Sequence, residues 1–254
     1  MKFIENLLFY ITVPKCASCG ERLERRDEAL CSKCVAEYQN ELERNCSLCA
    51  KPLGECSCSN EYLDAHYVHK LVKVFRYKRD AESPSSRMIY SLKRDNRRDV
   101  LDFLSEQLAQ SISRSVKNPG EYIFTSVPRR RSAIVKYGID HAELLAKRTS
   151  AKLGAKYKKL LISRAKTEQK KSKNREERLK NADFRLKKES MDLTGESLIL
   201  IDDIVTTGAS MSAASMNLKA VGAKKIIGAS LAIAYKDDYA PFERRERFVR
   251  KKRN

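Results

Sequence analysis

Residues 198–210 read LILIDDIVTTGAS. Four apolar residues run directly into Asp202 and Asp203, and Thr206, Thr207, Gly208, Ala209 and Ser210 follow after Ile204 and Val205. A continuous apolar run of this length reads as a buried strand. In an open α/β sheet, ligands bind beyond the carboxyl ends of the strands. Two carboxylates therefore emerge where a ligand would sit, followed by a small-residue turn into the next helix. Backbone N–H groups at such a helix start, with hydroxyls alongside, cradle a phosphate, and Gly208 permits close approach of the backbone. The aspartates repel a phosphate. They suit neutral hydroxyls beside it, as on a ribose ring, or the waters of a magnesium ion. The string points to a phosphorylated sugar with a free diol.

The flanking sequence supports such a sheet. YIFTSVP at 122–128 reads as a strand, IDHAELLAKRTSAKLG at 139–154 as a helix, and YKKLLISR at 157–164 as a strand. SLILIDDIV (197–205), SMSAASMNLKAVG (210–222) and KKIIGASLAIAY (224–235) continue as strand, helix, strand. This alternation predicts a mostly parallel sheet flanked by helices. Upstream, residues 63–116 read as helical, because SSRMIYSLKRDN and RDVLDFLSEQLAQSISR place apolar residues three and four apart. His141 opens a helix; it is a conceivable acid or base, but a histidine at a helix start more often reads as a cap or surface residue.

All eight cysteines fall between positions 16 and 58. Cys16, Cys19, Cys31 and Cys34 form a CxxC…CxxC array, and two such knuckles complete a tetrahedral zinc site. Cys46 and Cys49 with Cys56 and Cys58 form a second array, whose CxC half is a less usual ligand pair. Sequential and crossed pairings both fit the spacing. Four protein ligands leave no open position, so zinc here is expected to fold a small module and not to activate water.

With 52 Lys+Arg against 33 Asp+Glu, the formal net charge is +19. An excess of this size points first to nucleic acid as partner. Residues 156–190 hold 14 Lys+Arg against 5 Asp+Glu, and residues 236–254 hold 8 against 4. Within the first run Lys170, Lys171, Lys173, Arg175 and Arg178 are candidate contacts to a phosphate backbone, and Tyr239, Phe242 and Phe248 in the tail could stack bases. A solvated charge run is the competing reading. The N-terminal MKFIENLLFYITVPKC is interrupted by Glu5 and Asn6 and lacks a small-residue cleavage site, and no apolar stretch approaches bilayer length. A cytoplasmic protein is expected, which favours metal over disulfides for the cysteines.

The string from 198 to 210 resembles the phosphoribosyl pyrophosphate (PRPP) motif of type I phosphoribosyltransferases. The resemblance implies a type I phosphoribosyltransferase-like α/β fold. Asp202 and Asp203 would lie on the ribose hydroxyls, with residues 206 to 210 around the 5′-phosphate. It also implies a pyrophosphate-binding turn after an earlier strand, where SVPRR supplies Pro128 and Arg129. Residues 165–190 would be the flexible loop that closes over the ligand. Together with the cysteine module, SLKRDNRRDVLDFLSEQLA, YGIDHAELLAKRTSAKLG and TEQKKSKNREERLKNADFRL, the chain is similar to the ComF family of competence proteins over roughly residues 14–235. That family has Arg, Phe, Asn and Gln where this chain has Tyr137, Ile139, Asp140 and His141. The similarity implies natural transformation with single-stranded DNA as partner; proteins of the DNA-uptake machinery are a further candidate partner, through the zinc module. The expected organisation is a zinc module at 1–62, a helical connecting segment at 63–116, the phosphoribosyltransferase-like domain at 117–235 and a basic tail at 236–254. Three functions compete: PRPP and DNA binding, transfer of ribose 5-phosphate to a nitrogen base, or a metal-stabilised adaptor that docks on a helicase or uptake protein through the zinc module. No base pocket is evident.

Overall fold

The computed structural model describes residues 13–46, 49–77, 83–164, 183–188 and 192–234. Its centre is a five-stranded sheet of β1 (Lys70–Tyr77), β2 (Ile123–Ser126), β3 (Lys156–Tyr157), β6 (Ser197–Val205) and β7 (Lys225–Ala234). The order is β1-β7-β6-β2-β3, and every pair is parallel. A second sheet pairs β4 (Leu161–Ser163) antiparallel with β5 (Phe184–Leu186).

Alternate residues of β6 serve opposite faces, as strand geometry requires. Ile199 and Ile201 pack with Leu101, Leu104, Leu108 and Ile112 of α4 (Arg98–Ser115) and with Leu145 of α6 (His141–Lys152). Leu198 and Leu200 pack on the other side with Met211, Ala214 and Leu218 of α7 (Ala209–Ala220). With both faces covered, the central strands read as unbroken apolar runs. The other α-helices among the described residues are α1 (Ser32–Leu42), α2 (Glu61–Asp64), α3 (Pro84–Asp95) and α5 (Arg131–Tyr137).

Two local readings change. The helical reading of 63–116 holds from Pro84 onward, but LVKVFRY lies in β1, an edge strand. Five consecutive buried residues hid it, since a strand buried on both faces shows no alternation. YKKLLISR is not one strand: β3 joins the main sheet while β4 leaves it to pair with β5. Arg164 donates its backbone N–H to the carbonyl of Asp183 at 2.8 Å, beside the β4–β5 pairing. The 165–182 segment and the tail from 235 lie outside the described residues, and with them Lys170, Lys171, Lys173, Arg175 and Arg178. No helix among the described residues is long and apolar enough to cross a membrane.

The two cysteine groups do not dock alike. Cys16 and Cys34 belong to the main core with Tyr38, Val72 and Phe75. Cys46, Leu53 and Cys56 form a small cluster of their own.

Candidate functional site

The sheet reverses its winding between β2 and β6. From β2 the chain proceeds outward to β3, and from β6 it proceeds the other way to β7. A crevice opens at the carboxyl ends of strands flanking such a reversal. Here β2 pairs with β6 only as far as Ser126↔Ile201, while β6 continues beside β7 through Val205↔Ile233. The expected strand end at Ile201 is thus the end of pairing on one side only. Asp202 and Asp203 lie on the stretch that has lost its β2 neighbour.

Asp203 is buried and held between two cations. Lys93 Nζ lies 3.0 Å and Arg129 Nη2 2.8 Å from its Oδ2. Burial alone would raise this carboxyl, but Lys93 and Arg129 overcome it and hold Asp203 well below the usual carboxylate range. Asp202 moves the other way: burial, then the charge of Asp203, push it well up. Its Oδ1 accepts the backbone N–H of Asp203 at 2.9 Å. Neighbouring carboxylates with environments this different divide into one firmly ionised group and one readily protonated group.

Arg129 is fixed from several sides. Its backbone N–H donates to Asp140 Oδ2 at 3.1 Å, and its Nη1 donates to His141 Nδ1 at 3.0 Å. A guanidinium has no acceptor, so Nδ1 must be the bare nitrogen and the imidazole proton sits on Nε2. Nε2–H then donates to Asn96 Oδ1 at 2.9 Å. Burial first, and the charge of Arg129 second, lower the His141 pKa and keep the ring neutral. The reading of His141 as a cap or surface residue is corrected: its exposure is 0%. Asp140 is the cap, accepting from Glu143 N at 3.2 Å. Lys93, Asn96 and Asp140 were not singled out as site residues from the sequence. Lys93 and Asn96 lie more than a hundred positions before Asp203, and no local pattern connects them to it.

After Val205, Thr206 is exposed, whereas Thr207, Gly208 and Ala209 are buried. The Thr207 hydroxyl accepts from Ala209 N at 3.3 Å, so it serves the loop itself. Gly208 caps α7 with φ at +81°, and the first turn of that helix carries no acidic residue. The requirement for glycine is partly internal. A Cβ there would meet Leu63 Cγ and Cδ2 at 3.0 Å, besides adopting a left-handed conformation.

The cysteines resolve into sequential groups. The sulfurs of Cys16, Cys19, Cys31 and Cys34 lie within 4.8 Å of one another, as do those of Cys46, Cys49, Cys56 and Cys58. None of the eight forms a disulfide. Sulfurs tetrahedrally placed about 2.3 Å from zinc stand about 3.8 Å apart. Cys19 and Cys31 are 3.7 Å apart and Cys49 and Cys56 3.5 Å, so both groups fit zinc. The knuckles share one design. Gly20 N donates to Cys16 O at 3.0 Å and Ala50 N to Cys46 O at 2.8 Å, and both residues have positive φ. Backbone N–H bonds, including Cys31 N to Cys16 Sγ at 3.4 Å, offset burial and bring Cys16 down to about 7. Nothing in the described site bears on magnesium beyond the carboxylates themselves.

No curated protein sequence matches the chain. Among solved structures, a purine phosphoribosyltransferase from Pyrococcus horikoshii Ot3 is similar at 19% identity, over 52% of this chain and 72% of that one, with a TM-score of 0.33. A second, described as an analysis of an invariant aspartic acid in HPRTs, glutamine mutant, aligns at 9% identity over 52% of this chain and 65% of that one, with a TM-score of 0.31. Residues 140–250 match the family model described as the phosphoribosyl transferase domain, a span that takes in α6, β6, its Asp-Asp loop, α7 and β7. The chain therefore joins a mostly parallel, phosphoribosyltransferase-type α/β fold to an N-terminal segment with two four-cysteine groups that could hold zinc.

Proposed function

We propose that the crevice between β2 and β6 binds PRPP or a closely related phosphosugar. The observation that carries this reading is Asp203 held between Lys93 and Arg129, one residue beyond Asp202 and three before the loop that starts α7. Alone, the site satisfies its charges internally. A ligand with an anionic group at one end and a diol at the other exchanges both sets of contacts at once. Its pyrophosphate takes Arg129 and Lys93, its hydroxyls take the released oxygens of Asp203 and Asp202, and its 5′-phosphate meets the amides at the α7 start. A ligand with only one of these groups leaves a buried charge without its partner, which is costly. PRPP should therefore bind more tightly than pyrophosphate or ribose 5-phosphate, by more than either fragment suggests. Magnesium, when bound with the ligand, would join the pyrophosphate and the carboxylates.

The working partner in this reading is single-stranded DNA, in natural transformation, with the ligand as an effector or anchor. The charge of +19 and the basic run around Lys170, Lys171, Lys173, Arg175 and Arg178 support a polyanion, and the similarity to the ComF family supports the process. Transfer of ribose 5-phosphate to a nitrogen base is the second reading, favoured by the family match over 140–250. Fold alone does not license catalysis. Titration with PRPP and with single-stranded oligonucleotides, separately and together, tests the first reading. Release of pyrophosphate from PRPP that depends on an added base, and is lost in Asp202→Asn/Asp203→Asn, would establish the second in its place.

A further inference from the structure

The loop at 206–208 is braced from behind by the second cysteine group. Cys58 forms an antiparallel bridge with Lys70, and Leu71 N donates to Ser57 O at 3.1 Å, so the group is stitched to the edge strand β1. Lys73 of that strand, with 0% exposure, donates from Nζ to Cys58 O at 2.8 Å. This places an ammonium beside a group that would carry two net negative charges as a zinc tetrathiolate. Two residues beyond Cys58, Asn60 caps α2 by accepting from Leu63 N at 2.7 Å. Leu63 itself is fully buried and faces Gly208, where an added Cβ would lie 3.0 Å from its side chain. Ser215 of α7 closes the circuit by donating to His66 O at 2.5 Å.

Resting on the phosphosugar reading above, we infer that Leu63 is a positioning residue for the phosphate loop, and that metal at Cys46, Cys49, Cys56 and Cys58 sets its placement. The α2 turn has only four residues and cannot hold its own position, because so short a helix is unstable alone. What fixes it is the cysteine group before it and the α7 contacts after it. Leu63 then occupies the space into which Gly208 would relax, holding the loop's amides toward the crevice. The pyrophosphate end of the site depends on Lys93 and Arg129, which belong to α3 and the β2–α5 turn and do not share this brace.

Calorimetric titration of Leu63→Ala, Leu63→Met and Cys46→Ser/Cys49→Ser with ribose 5-phosphate and with inorganic pyrophosphate tests this, alongside the unsubstituted chain and with zinc content measured for each. Leu63→Ala should weaken ribose 5-phosphate about tenfold while leaving pyrophosphate within about twofold, the range expected for coupling through packed side chains. Leu63→Met should recover most of the loss. The cysteine variant, lacking one zinc but retaining native helical content, should reproduce the Leu63→Ala pattern. Unchanged ribose 5-phosphate binding in Leu63→Ala overturns the inference, and an equal loss of both ligands does so too by marking a general defect. Retained affinity in the zinc-depleted cysteine variant overturns its metal half. Failure of the unsubstituted chain to bind PRPP, titrated alongside, overturns the phosphosugar reading itself, and this inference with it.

Discussion

Arg129 reaches Asp203 with Nη2 at 2.8 Å and so joins the β2 turn to the carboxyl end of β6, across the opening between the two strands. The same guanidinium rests on a neutral His141, and that pairing gives the ion pair its fixed direction. Asp203→Asn retains the size of the side chain but removes its charge. Charge-assisted hydrogen bonds contribute about 1.5–3 kcal/mol each, so PRPP affinity should fall about 10- to 100-fold with Asp203→Asn and further with Asp202→Asn/Asp203→Asn. Inorganic phosphate, which has no diol, should be much less affected. Titration calorimetry of both ligands checks the difference.

His141 should give folding a distinctive pH dependence. Its folded pKa lies below the ordinary 6.5, so the unfolded chain binds the proton more readily. Stability from the neutral ring is fully present above about pH 6.5 and declines as pH falls through the folded value. His141→Gln keeps an acceptor for Arg129 and a donor for Asn96 without a titrating proton. Its denaturant midpoint should fall less than that of the unsubstituted chain between about pH 7 and 5. Parallel curves would remove His141 as the cause.

Gly208→Ala and Gly208→Val should destabilise the fold as well as weaken ligand binding. A non-glycine residue at φ of +81° costs about 1–3 kcal/mol, and the contact at 3.0 Å with Leu63 adds to it. The midpoint of thermal unfolding should drop by about 2–4 °C per kcal/mol for a chain of this size, with valine worse than alanine. Differential scanning calorimetry provides the measurement.

Ala50 occupies in the second knuckle the position that Gly20 occupies in the first, and its φ is +57°. Ala50→Gly should relieve about 1 kcal/mol of left-handed strain, partly offset by the larger conformational entropy of glycine in the unfolded chain. A small gain in stability and tighter zinc retention at that site under chelator are expected. The reciprocal Gly20→Ala should lower both at the first site.

Zinc content should be two ions per chain, one per cysteine group. Cys16→Ser/Cys19→Ser should lose one ion and also loosen the sheet domain, because Cys16 and Cys34 share a core with Val72 and Phe75. α3, which delivers Lys93, is tied to the same knuckle by Arg87 Nη1 donating to Ser18 O at 2.9 Å. Metal analysis with near-ultraviolet circular dichroism distinguishes this outcome from a module that unfolds alone.

The sequence by itself determined the elements whose signal is local. LILIDDIVTTGAS specified a buried strand, its acidic end and a glycine turn within thirteen residues, and the spacing of the cysteine knuckles pointed to two groups that could hold zinc. The β1 strand was not legible, because burial on both faces erases the period-two pattern that distinguishes a strand. The cation pair on Asp203, the neutral His141 under Arg129 and the Leu63 wedge beneath Gly208 were decided only by tertiary structure. Each joins segments from about 10 to about 145 positions apart, brought together by the parallel crossovers that parallel sheets require. A carboxylate's partner and a histidine's charge follow from what surrounds them in space, and the order of residues along the chain does not carry that information.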